Sequence, residues 1–308
     1  MSSIHILVLN YNGEALLREC LPSVLEASHR SPIACKLSVI DNASSDGSRA
    51  WLKSVLPEVG WFPRADNSIL YAYNDIVGQV PEDLVLLLNN DIKVDPGFIT
   101  PLIEALRARP EAFAASPRHV DFNGAYNGGM NRCGRRLSLA WAGPSYPGAE
   151  QESLRSGETL FTGNGLFRRD KFLALGGFDR LYAPMGWEDT DLCSRAWGQG
   201  WPTLYVPQSL IHHKSSASIA KAFSQHARRS LGFRNAALWM LRNAPATELF
   251  WALLSLPATV AACALSGRWA QLDGLARSLG RWPRALWGRR RGATDWWHRF
   301  SVNPGGAP

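Results

Sequence analysis

The sequence has few cysteines, and none of them are closely spaced. They are Cys20, Cys35, Cys133, Cys193 and Cys263. An odd number without CxxC spacing favours reduced thiols in a cytosolic protein over a disulfide framework or a zinc site. The 27 glycines and 19 prolines follow no period, which excludes a collagen-like chain.

The N-terminus lacks the marks of a secretory signal. An apolar strand pattern begins within the first few residues, without a basic stretch or a small-residue cleavage site. We therefore expect no signal peptide. Apolar residues make up 46% of the 308 residues, which excludes a disordered chain. This length is enough for one large domain or two small ones.

The net charge of +7 is unevenly distributed along the chain. Residues 1–213 carry 19 basic and 23 acidic side chains, a net charge of −4, whereas residues 214–308 carry 14 and 3, a net charge of +11. A basic C-terminal part indicates an anionic partner, either nucleic acid or the cytoplasmic leaflet of a membrane.

Strand and helix patterns alternate over the first hundred residues. Apolar runs predict strands at residues 4–9, 37–40, 61–62 and 84–88, and helical spacing predicts helices at 14–28, 48–55, 70–80 and from about 96. Repeated strand–helix units predict an α/β fold with a mostly parallel sheet and helices on both faces. Residues 112–160 indicate irregular strands and loops, and two short strands are expected at 204–206 and 210–211.

Polar clusters follow three of the predicted strands, at residues 10–12, 41–46 and 89–91. One such cluster is explained by turn chemistry alone. The carboxyl ends of parallel strands, however, meet at one edge of the sheet, where ligands bind in open α/β folds. Three clusters at that edge favour a binding site.

Two carboxylate motifs allow a structural and a functional interpretation. Asp91 ends the cluster after the strand at 84–88, where a carboxylate can hold Mg²⁺ with substrate phosphates, or can simply form a turn. Glu188, Asp189 and Asp191 precede a helical pattern. One of them can serve as a general base, although acidic residues also favour the first turn of a helix. The pair at 212–213 is a weaker histidine signal for a metal ligand.

The order of these motifs resembles the family 2 inverting glycosyltransferases, and within them the bacterial rhamnosyltransferase-type members. The matching stretches are VLNYNG (8–13), VIDNASSDGS (39–48), DNSILYAYN (66–74), LLLNNDIKVDPGF (86–98), FTGNGLFRRDKFLALGGFD (161–179), WEDTDLCSRAWGQGW (187–201) and IHHKSSAS (211–218). Together they cover about residues 3–245. The resemblance implies a GT-A-like (Rossmann-like) fold.

The resemblance also implies roles for individual residues. The implied nucleotide-sugar-binding residues are Asn10, Tyr11, Asp41, Asn42, Asp46, Asn67 and Asn89. Asp91 is the implied ligand of Mg²⁺ or Mn²⁺, joined by His213, which fits the family's late histidine better than His212 because Ser218 follows at the usual interval. Asp189, beside Glu188, is the implied catalytic base.

The sequence departs from the family pattern at two places, and both affect the roles that the resemblance implies. SILYA (68–72) replaces a Gly-Phe-Ala-like stretch, which predicts a differently shaped loop because glycine gives easy access to positive φ. Asn89 stands where a DxD-type element often has its first Asp, which removes one metal ligand. Donor identity and metal dependence therefore stay open.

The implied reaction is a single displacement. Asp189 deprotonates an acceptor hydroxyl, which attacks the anomeric carbon opposite the nucleotide and inverts its configuration. The implied donor is dTDP-L-rhamnose, and the acceptor is a saccharide or lipid-linked glycan in cell-surface polysaccharide biosynthesis. A glycosidase needs two carboxylates that flank one bond, and none pairs evidently with Asp189 at a distance. The alternative is a non-catalytic membrane-bound or nucleic-acid-binding protein that has kept the fold.

The basic C-terminal part combines arginines with an apolar run. Residues 217–243 predict a helix, and residues 249–265 are 17 uncharged residues that include Pro257, near the lower limit of about 17–25 for a membrane span. Tryptophans and arginines alternate after it, which is typical of helices at an anionic leaflet, although a solvated helical cap gives the same pattern. No nucleic acid is expected, because the apolar run has no use in binding phosphates.

We therefore expect two domains, a GT-A-like catalytic domain at 1–215 and a basic, helical, membrane-associating region at 216–308. The expected location is cytoplasmic, peripheral to the inner face of the inner membrane.

Overall fold

A computed structural model of the chain describes residues 2–136, 138–214, 223–289 and 295–302. The strands are β1 (Ser3–Asn10), β2 (Ala34–Asp41), β3 (Gly60–Pro63), β4 (Leu84–Asn89), β5 (Ile92–Val94), β6 (Ala114–Val120), β7 (Tyr126–Gly128), β8 (Arg132–Arg136), β9 (Leu139–Gly143), β10 (Gly157–Glu158), β11 (Leu166–Arg168) and β12 (Thr203–His213). The helices are α1 (Glu14–His29), α2 (Ser48–Val55), α3 (Ala72–Val77), α4 (Ile99–Ala108), α5 (Ala149–Glu152), α6 (Arg169–Ala174), α7 (Glu188–Trp197), α8 (Gln225–Asn243), α9 (Ala246–Leu254), α10 (Leu256–Leu265), α11 (Trp269–Leu279), α12 (Trp282–Trp287) and α13 (Asp295–Phe300).

The main sheet has the order β10-β12-β6-β11-β4-β1-β2-β3. Its longest ladders, β1 with β2, β1 with β4 and β12 with β6, are parallel. The short strand β11 lies antiparallel between β4 and β6. Strands β1, β2 and β4 therefore end side by side, at Asn10, Asp41 and Asn89, and their polar clusters lie at one edge of the sheet.

Alternate residues of the central strands face two layers of helices. Ile4, Ile6 and Val8 of β1 are buried against α1, α2 and α4, whereas Leu7 of β1 and Leu87 of β4 are buried against α3, α6 and α7. Successive side chains of a strand point to opposite faces, so a strand covered on both faces is a continuous apolar run. The predicted α/β class with helices on both faces is confirmed.

Helices α8 to α13, which we call the C-terminal helices, pack on the body of the protein through a third apolar core. Trp239 of α8 and Trp297 of α13 are both almost fully buried and stack with their ring centroids 5.2 Å apart. The same core includes Cys133 of the β8–β9 hairpin and Cys193 of α7. A large part of the apolar surface of this basic region is thus used inside the molecule.

Several element boundaries differ from the sequence predictions. The strands predicted at 204–206 and 210–211 form the single strand β12, whose pairing with β6 shifts register between Val206 and Leu210. The helix predicted at 70–80 is a 3₁₀ turn at Ile69–Tyr71 followed by α3. The helix predicted from about 96 begins at Ile99. Of the helix predicted at 217–243, residues 217–222 lie outside the described residues.

The uncharged run at 249–265 falls within two helices. Helices α9 and α10 have, as a pair, the length and composition of a membrane span, but their axes differ by 46°. Within the described ranges of the chain, no single helix is long and apolar enough to cross a membrane. Pro257 lies in the first turn of α10, where a missing backbone N–H is tolerated.

Candidate active site

Asn10 joins the polar clusters that follow β1, β2 and β4. Its side chain is 1% exposed, and its Oδ1 accepts a 2.7 Å hydrogen bond from Nδ2 of Asn90. Its Nδ2 lies 3.3 Å from Oδ1 of Asp41 and 3.1 Å from Oγ of Ser44. A Cβ at Gly13 would collide with Nδ2 of Asn90, so only glycine lets the chain pass this close.

Asn42 carries this network toward the loop at residues 67–71. Its buried Nδ2 donates to Oδ1 of Asn67 at 3.2 Å and to the carbonyl of Ile69 at 3.1 Å. Ile69 has φ +51°, a strained value for a β-branched residue. The loop therefore keeps a positive φ without the family's glycine. We call Asn10, Asp41, Asn42, Asn67, Asn89 and Asn90 the rim.

Asp46 and Tyr11 stand apart from the rim network. The carboxylate of Asp46 accepts the backbone N–H of Glu14 at 2.9 Å and that of Ser48 at 3.1 Å, in the first turns of α1 and α2. These bonds and the Ser48 hydroxyl outweigh partial burial, which acts in the opposite direction, and lower the pKa of Asp46. Tyr11 is 48% exposed beside Asn10.

Asp91 lies at the sheet edge beside His213. Its side chain is 10% exposed, and Nε2 of His213 lies 3.3 Å from its Oδ1. That buried oxygen makes no hydrogen bond within the described residues. His212, the next residue of the strand, instead places its Nε2 3.5 Å from Asp95. The structure therefore brings His213, and not His212, to Asp91.

These two side chains fit a divalent cation. Across residues 2–136, 138–214, 223–289 and 295–302, no group of three or more His, Cys, Asp or Glu side chains could hold a metal. Mg²⁺ commonly takes one or two carboxylates and completes its shell with substrate phosphates and water. A bare carboxylate oxygen with one imidazole beside it matches that requirement.

The loop at residues 161–165 connects this edge of the sheet to α7. Oδ1 of Asn164 accepts the backbone N–H of Asn89 at 2.8 Å. Two residues earlier in the same loop, Oγ1 of Thr162 lies 3.4 Å from Sγ of Cys193 in α7. The loop thus contacts both the DxD-like element and the helix that carries the second carboxylate motif.

Glu188 and Asp189 form a buried acidic pair at the start of α7. Burial raises the pKa of both carboxyls, and the charge of Asp189 raises that of Glu188 further. Oε2 of Glu188 is buried with no hydrogen bond, whereas Oδ1 of Asp189 accepts the N–H of Thr190 at 2.7 Å. Asp189 is half-buried. It is therefore the member of the pair that a ligand can reach and that holds a negative charge more readily.

Tyr71 lies within the electrostatic reach of this pair. Burial, followed by the charges of Glu188 and Asp179, raises the pKa of its phenol. Its hydroxyl is buried without a hydrogen-bond partner in the described part of the chain. Tyr71 ends the 3₁₀ turn that begins at Ile69, so the loop that bonds Asn42 also reaches toward the acidic pair.

Asp191 has a different environment from Asp189. It is fully buried, and its carboxylate accepts bonds from Nε of Arg195 at 2.7 Å, from the Tyr182 hydroxyl at 2.9 Å and from Nδ2 of Asn243 at 3.2 Å. Its charge is shared by a partner within α7, by the loop before that helix and by Asn243 of α8. The structure thus separates the three acidic residues of the motif into an open pair and a structural anchor.

The C-terminal helices hold the loop that leads to the acidic pair. Nδ2 of Asn235 is within 2.9 Å of the carbonyls of Tyr182, Met185 and Gly186. Arg234 donates to the carbonyl of Ala183 at 2.6 Å, and burial lowers its pKa to about 10. We call residues 179–186 the clamped loop.

Sequence reasoning missed Asn164, Asn235 and His119. Asn164 lies inside the stretch FTGNGLF, so a residue-by-residue treatment of that motif could have found it. Asn235 has no local signal, because its partners are about 50 residues earlier in the chain. His119 packs edge-on against His213, with ring centroids 5.7 Å apart, and burial lowers its pKa to about 3.

Two family matches cover this arrangement. Residues 5–176 match the family described as glycosyl transferase family 2, and residues 150–215 match the family described as the N-terminal domain of galactosyltransferase. The first match includes the rim and Asp91, and the second includes α7 with Glu188 and Asp189.

The chain is similar to proteins of known activity. The chain is 28% identical over 247 residues to the N-acetylglucosaminyl-diphospho-decaprenol L-rhamnosyltransferase of Mycobacterium tuberculosis (strain CDC 1551 / Oshkosh), which covers 69% of this chain and 76% of that protein. The mannosyltransferase PcManGT from Pyrobaculum calidifontis, solved with GDP-Man and Mn²⁺, has a TM-score of 0.53 at 17% identity, over 93% of this chain and 85% of its own.

A third similarity is to GalNAc-T7, solved with UDP, GalNAc and Mn²⁺. Its TM-score is 0.55 at 17% identity, over 68% of this chain. The chain spans 43% of that protein, less than half its length. These likenesses confirm the predicted GT-A-like fold class.

Proposed function

The chain belongs to glycosyl transferase family 2, and on this premise we propose that it transfers a sugar with inversion of the anomeric configuration. The proposed donor is a nucleoside diphosphate sugar, dTDP-L-rhamnose, and the acceptor is a saccharide or lipid-linked glycan in cell-surface polysaccharide biosynthesis. Support for both comes from the 28% identity to an L-rhamnosyltransferase whose name includes a lipid diphosphate.

The rim is the proposed donor site. Oδ1 of Asn42 is a buried acceptor without a partner in the described residues, and it is suited to an N–H of the nucleobase. Asp41 and Asn67 lie on either side of Asn42, and Tyr11 offers an exposed ring at the border of the nucleotide. Asn10 and Asp46 hold the loops of the site in place, and Asn89 faces the sugar.

Asp91 and His213 are the proposed ligands of Mg²⁺ or Mn²⁺. The supporting observation is the buried Oδ1 of Asp91, which accepts no hydrogen bond within the described residues although Nε2 of His213 lies 3.3 Å away. A buried carboxylate oxygen that accepts no hydrogen bond is costly unless a ligand binds it. A bound divalent ion offsets the negative charge of the leaving diphosphate. Asn90 keeps its amide on Asn10 and does not compete for the ion.

The observation that carries the proposal is the acidic pair at Glu188 and Asp189. A general base works best when its pKa is near the operating pH, and burial raises the pKa of Asp189 in that direction. Asp189 takes the proton from the acceptor hydroxyl as that oxygen attacks the anomeric carbon. Glu188, with no hydrogen bond to its buried Oε2, binds a proton more readily and keeps a second negative charge away from the base.

We further propose the division into a catalytic domain at 1–215 and a membrane-associating region at 216–308. The C-terminal helices expose large apolar side chains at Phe250, Trp251, Leu253, Leu254, Leu265, Trp269 and Trp287. Aromatic and aliphatic side chains next to arginines suit the headgroup region of an anionic leaflet. The proposed location is the cytoplasmic face of the inner membrane, to which the protein binds peripherally.

Vesicle flotation tests the membrane proposal. The wild type should float with vesicles that contain phosphatidylglycerol, and Trp251→Ser with Leu254→Ser should stay at the bottom of the gradient. Leu154→Ser, at a side chain 61% exposed outside the C-terminal helices, is the matched control and should float. Equal flotation of all three proteins contradicts the proposal.

A panel of nucleotide sugars tests the reaction. The protein with Mn²⁺ is incubated with each donor and a lipid-linked or alkyl glycoside acceptor, and the product is analysed by mass spectrometry and by NMR of the anomeric proton. We expect transfer from dTDP-L-rhamnose, loss of transfer in EDTA, and a product of opposite anomeric configuration to the donor. A product with retained configuration contradicts the proposed mechanism.

A further inference from the structure

A cavity of about 600 Å³ lies between the body of the protein and the C-terminal helices. Its walls are the β8–β9 hairpin, α8 and α10, with apolar lining at Leu139, Trp141, Trp187, Phe233, Ala262 and Cys263. This volume is within the range of about 300–1,000 Å³ that is usual for small-molecule sites. The cavity lies outside the rim, and neither the donor nor the metal proposal uses it.

Three arginines line the otherwise apolar cavity: Arg136, Arg229 and Arg268. All three are exposed, and in the part of the chain that the structure describes none of them has an acidic partner. No acidic side chain is among the described lining residues. By contrast, Arg234 and Arg242 of α8 both donate hydrogen bonds to the clamped loop. Like charges gathered without counter-charges are relieved by an anion.

Trp187 places the cavity next to the acidic pair. Its ring lines the cavity and packs on Trp239 with centroids 5.3 Å apart, and its backbone has the positive φ of 75° at the N-terminus of α7. The next residue in the chain is Glu188, followed by Asp189. The cavity is therefore lined by the residue that directly precedes the acidic pair in the chain.

Helix α10 connects the cavity to an exposed apolar surface. Its Thr259, Ala262 and Cys263 line the cavity, while Val260 and Leu265 of the same helix are 42% and 91% exposed. The adjoining helix α9 exposes more apolar side chains. A molecule with an anionic head between the arginines can thus continue as a hydrocarbon chain along α9 and α10.

We propose that this cavity is the binding site for the lipid diphosphate part of the acceptor, with Arg136, Arg229 and Arg268 on the diphosphate and the hydrocarbon against α10. The inference deepens the proposed function and rests on it. Charge complementarity and the neighbouring apolar helices identify the occupant as an amphiphilic diphosphate. Neither a soluble glycan nor free phosphate matches both features.

Binding of farnesyl diphosphate by the full-length protein tests the inference. Trp141 and Trp187 line the cavity, so intrinsic fluorescence reports occupancy. We expect saturable binding by the wild type and binding about tenfold weaker in Arg229→Gln and in Arg268→Gln, since each loses a charge-assisted hydrogen bond. Arg155→Gln, at an exposed arginine outside the cavity, is the matched control and should bind as the wild type does.

Gly232 allows the cavity to be filled without disturbing the fold. It lies in α8 on the cavity wall, and a Cβ built there meets no atom within 4 Å. Gly232→Leu should abolish farnesyl diphosphate binding while thermal unfolding stays cooperative at a temperature no lower than that of the wild type. Binding by Gly232→Leu equal to that of the wild type overturns the inference.

The arms of the experiment separate this inference from the proposed function. Asp189→Asn should bind farnesyl diphosphate normally and fail to transfer sugar. If the wild type binds farnesyl diphosphate and the cavity variants do not, but the wild type transfers no sugar, the cavity assignment stands and the proposed function fails. If Gly232→Leu transfers sugar to a lipid diphosphate at the wild-type rate, the cavity assignment fails and the function stands. Equal binding of inorganic diphosphate, or of farnesol, contradicts an amphiphilic occupant.

Discussion

The rim and the interface of the C-terminal helices handle charge in opposite ways. Asp41 of the rim and the neighbouring Asp46 bond to amides, hydroxyls and backbone N–H groups, and neither is in an ion pair within the described residues. At the interface, Asp179 accepts bonds from Arg242 at 2.6 Å and Arg284 at 2.9 Å. Cations are thus used where two parts of the chain are held together, and kept away from the rim.

The difference shows where unused charge remains. Asp91 and the Glu188–Asp189 pair have no arginine or lysine partner in the described residues, and Oδ1 of Asp91 and Oε2 of Glu188 also accept no hydrogen bond there. Among the cations, Arg234, Arg242 and Arg284 bond to the clamped loop, whereas the arginines that line the cavity have no acidic partner in the described residues. Groups left without a counter-charge are the ones that we assign to metal, acceptor and lipid diphosphate.

The largest expected effect comes from breaking the interface at Asp191. Asp191→Ala leaves the buried Arg195 without its partner, and removal of one member of a buried ion pair costs about 3–5 kcal/mol. The free energy of unfolding, measured by urea denaturation, should fall by that amount. Asp189→Asn, two residues earlier in the same helix, should not lower it, because burial already raises the pKa of the Asp189 carboxyl and an uncharged amide carries no such cost. Equal losses in both variants contradict the distinction between anchor and open pair.

A smaller effect is expected from releasing the clamped loop. Asn235→Ala removes the side-chain donor of the Met185 and Gly186 carbonyls and one of the two donors of the Tyr182 carbonyl, which should lower the free energy of unfolding by about 3 kcal/mol. Because this loop leads directly to the acidic pair, we expect kcat to fall while the KM for the donor stays constant. Asn235→Asp places a carboxylate oxygen against the same carbonyl oxygens and should destabilise the protein at least as much. A rise in donor KM with kcat intact contradicts a positioning role.

At the rim, Asn10→Ala should have a more moderate effect on stability, about 2 kcal/mol, because it removes hydrogen bonds to the neutral Ser44 and Asn90 and only a longer one to the Asp41 carboxylate. Its effect on function should be the reverse of that of Asn235→Ala. The donor dissociation constant, measured by calorimetry with UDP- and dTDP-sugars, should rise, and the rate at saturating donor should change little. A donor affinity like that of the wild type contradicts the assignment of the rim.

A pH dependence of stability is expected from the acidic pair. Burial raises the pKa of Glu188 above its unfolded value of about 4.3, so the folded chain binds the extra proton. The stability from this group is complete below the unfolded pKa and is lost as the pH rises through the folded one. Glu188→Gln should therefore gain stability relative to the wild type between pH 5 and pH 8.5, by about 1.4 kcal/mol for each unit of pKa shift.

Denaturation curves at the two pH values measure this gain. Asp170→Asn, an exposed carboxylate in the first turn of α6, serves as the control and should show no pH-dependent difference. A stability difference between Glu188→Gln and the wild type that is the same at both pH values contradicts the raised pKa.

Local patterns in the sequence were sufficient for the first half of the fold. The strands at the rim are apolar runs buried on both faces, and each ends in a polar cluster, so β1, β2 and β4 and their common edge could be predicted. The antiparallel β11 could not, because three residues between β4 and β6 have no period. The bend between α9 and α10 is likewise absent from the composition of an uncharged run.

The candidate site also has contacts that local sequence patterns predict and contacts that they do not. The proximity of Asn10, Asp41 and Asn90 follows from strand order, and the structure brings them together. The anchoring of Asp191 by Asn243 depends on a contact across 52 residues, for which no spacing rule exists. In the same way, the sequence does not distinguish the arginines of the C-terminal helices that bond the body from those that line the cavity.

The rate of sugar transfer by Asp189→Asn tests the central claim most directly. With Mn²⁺, saturating donor and a lipid-linked acceptor, we predict that kcat falls by about 100-fold or more, since removal of a general base has effects of that size. Donor affinity should stay at the wild-type value, and Asp170→Asn should transfer sugar normally. An Asp189→Asn protein that turns over within twofold of the wild type contradicts the account.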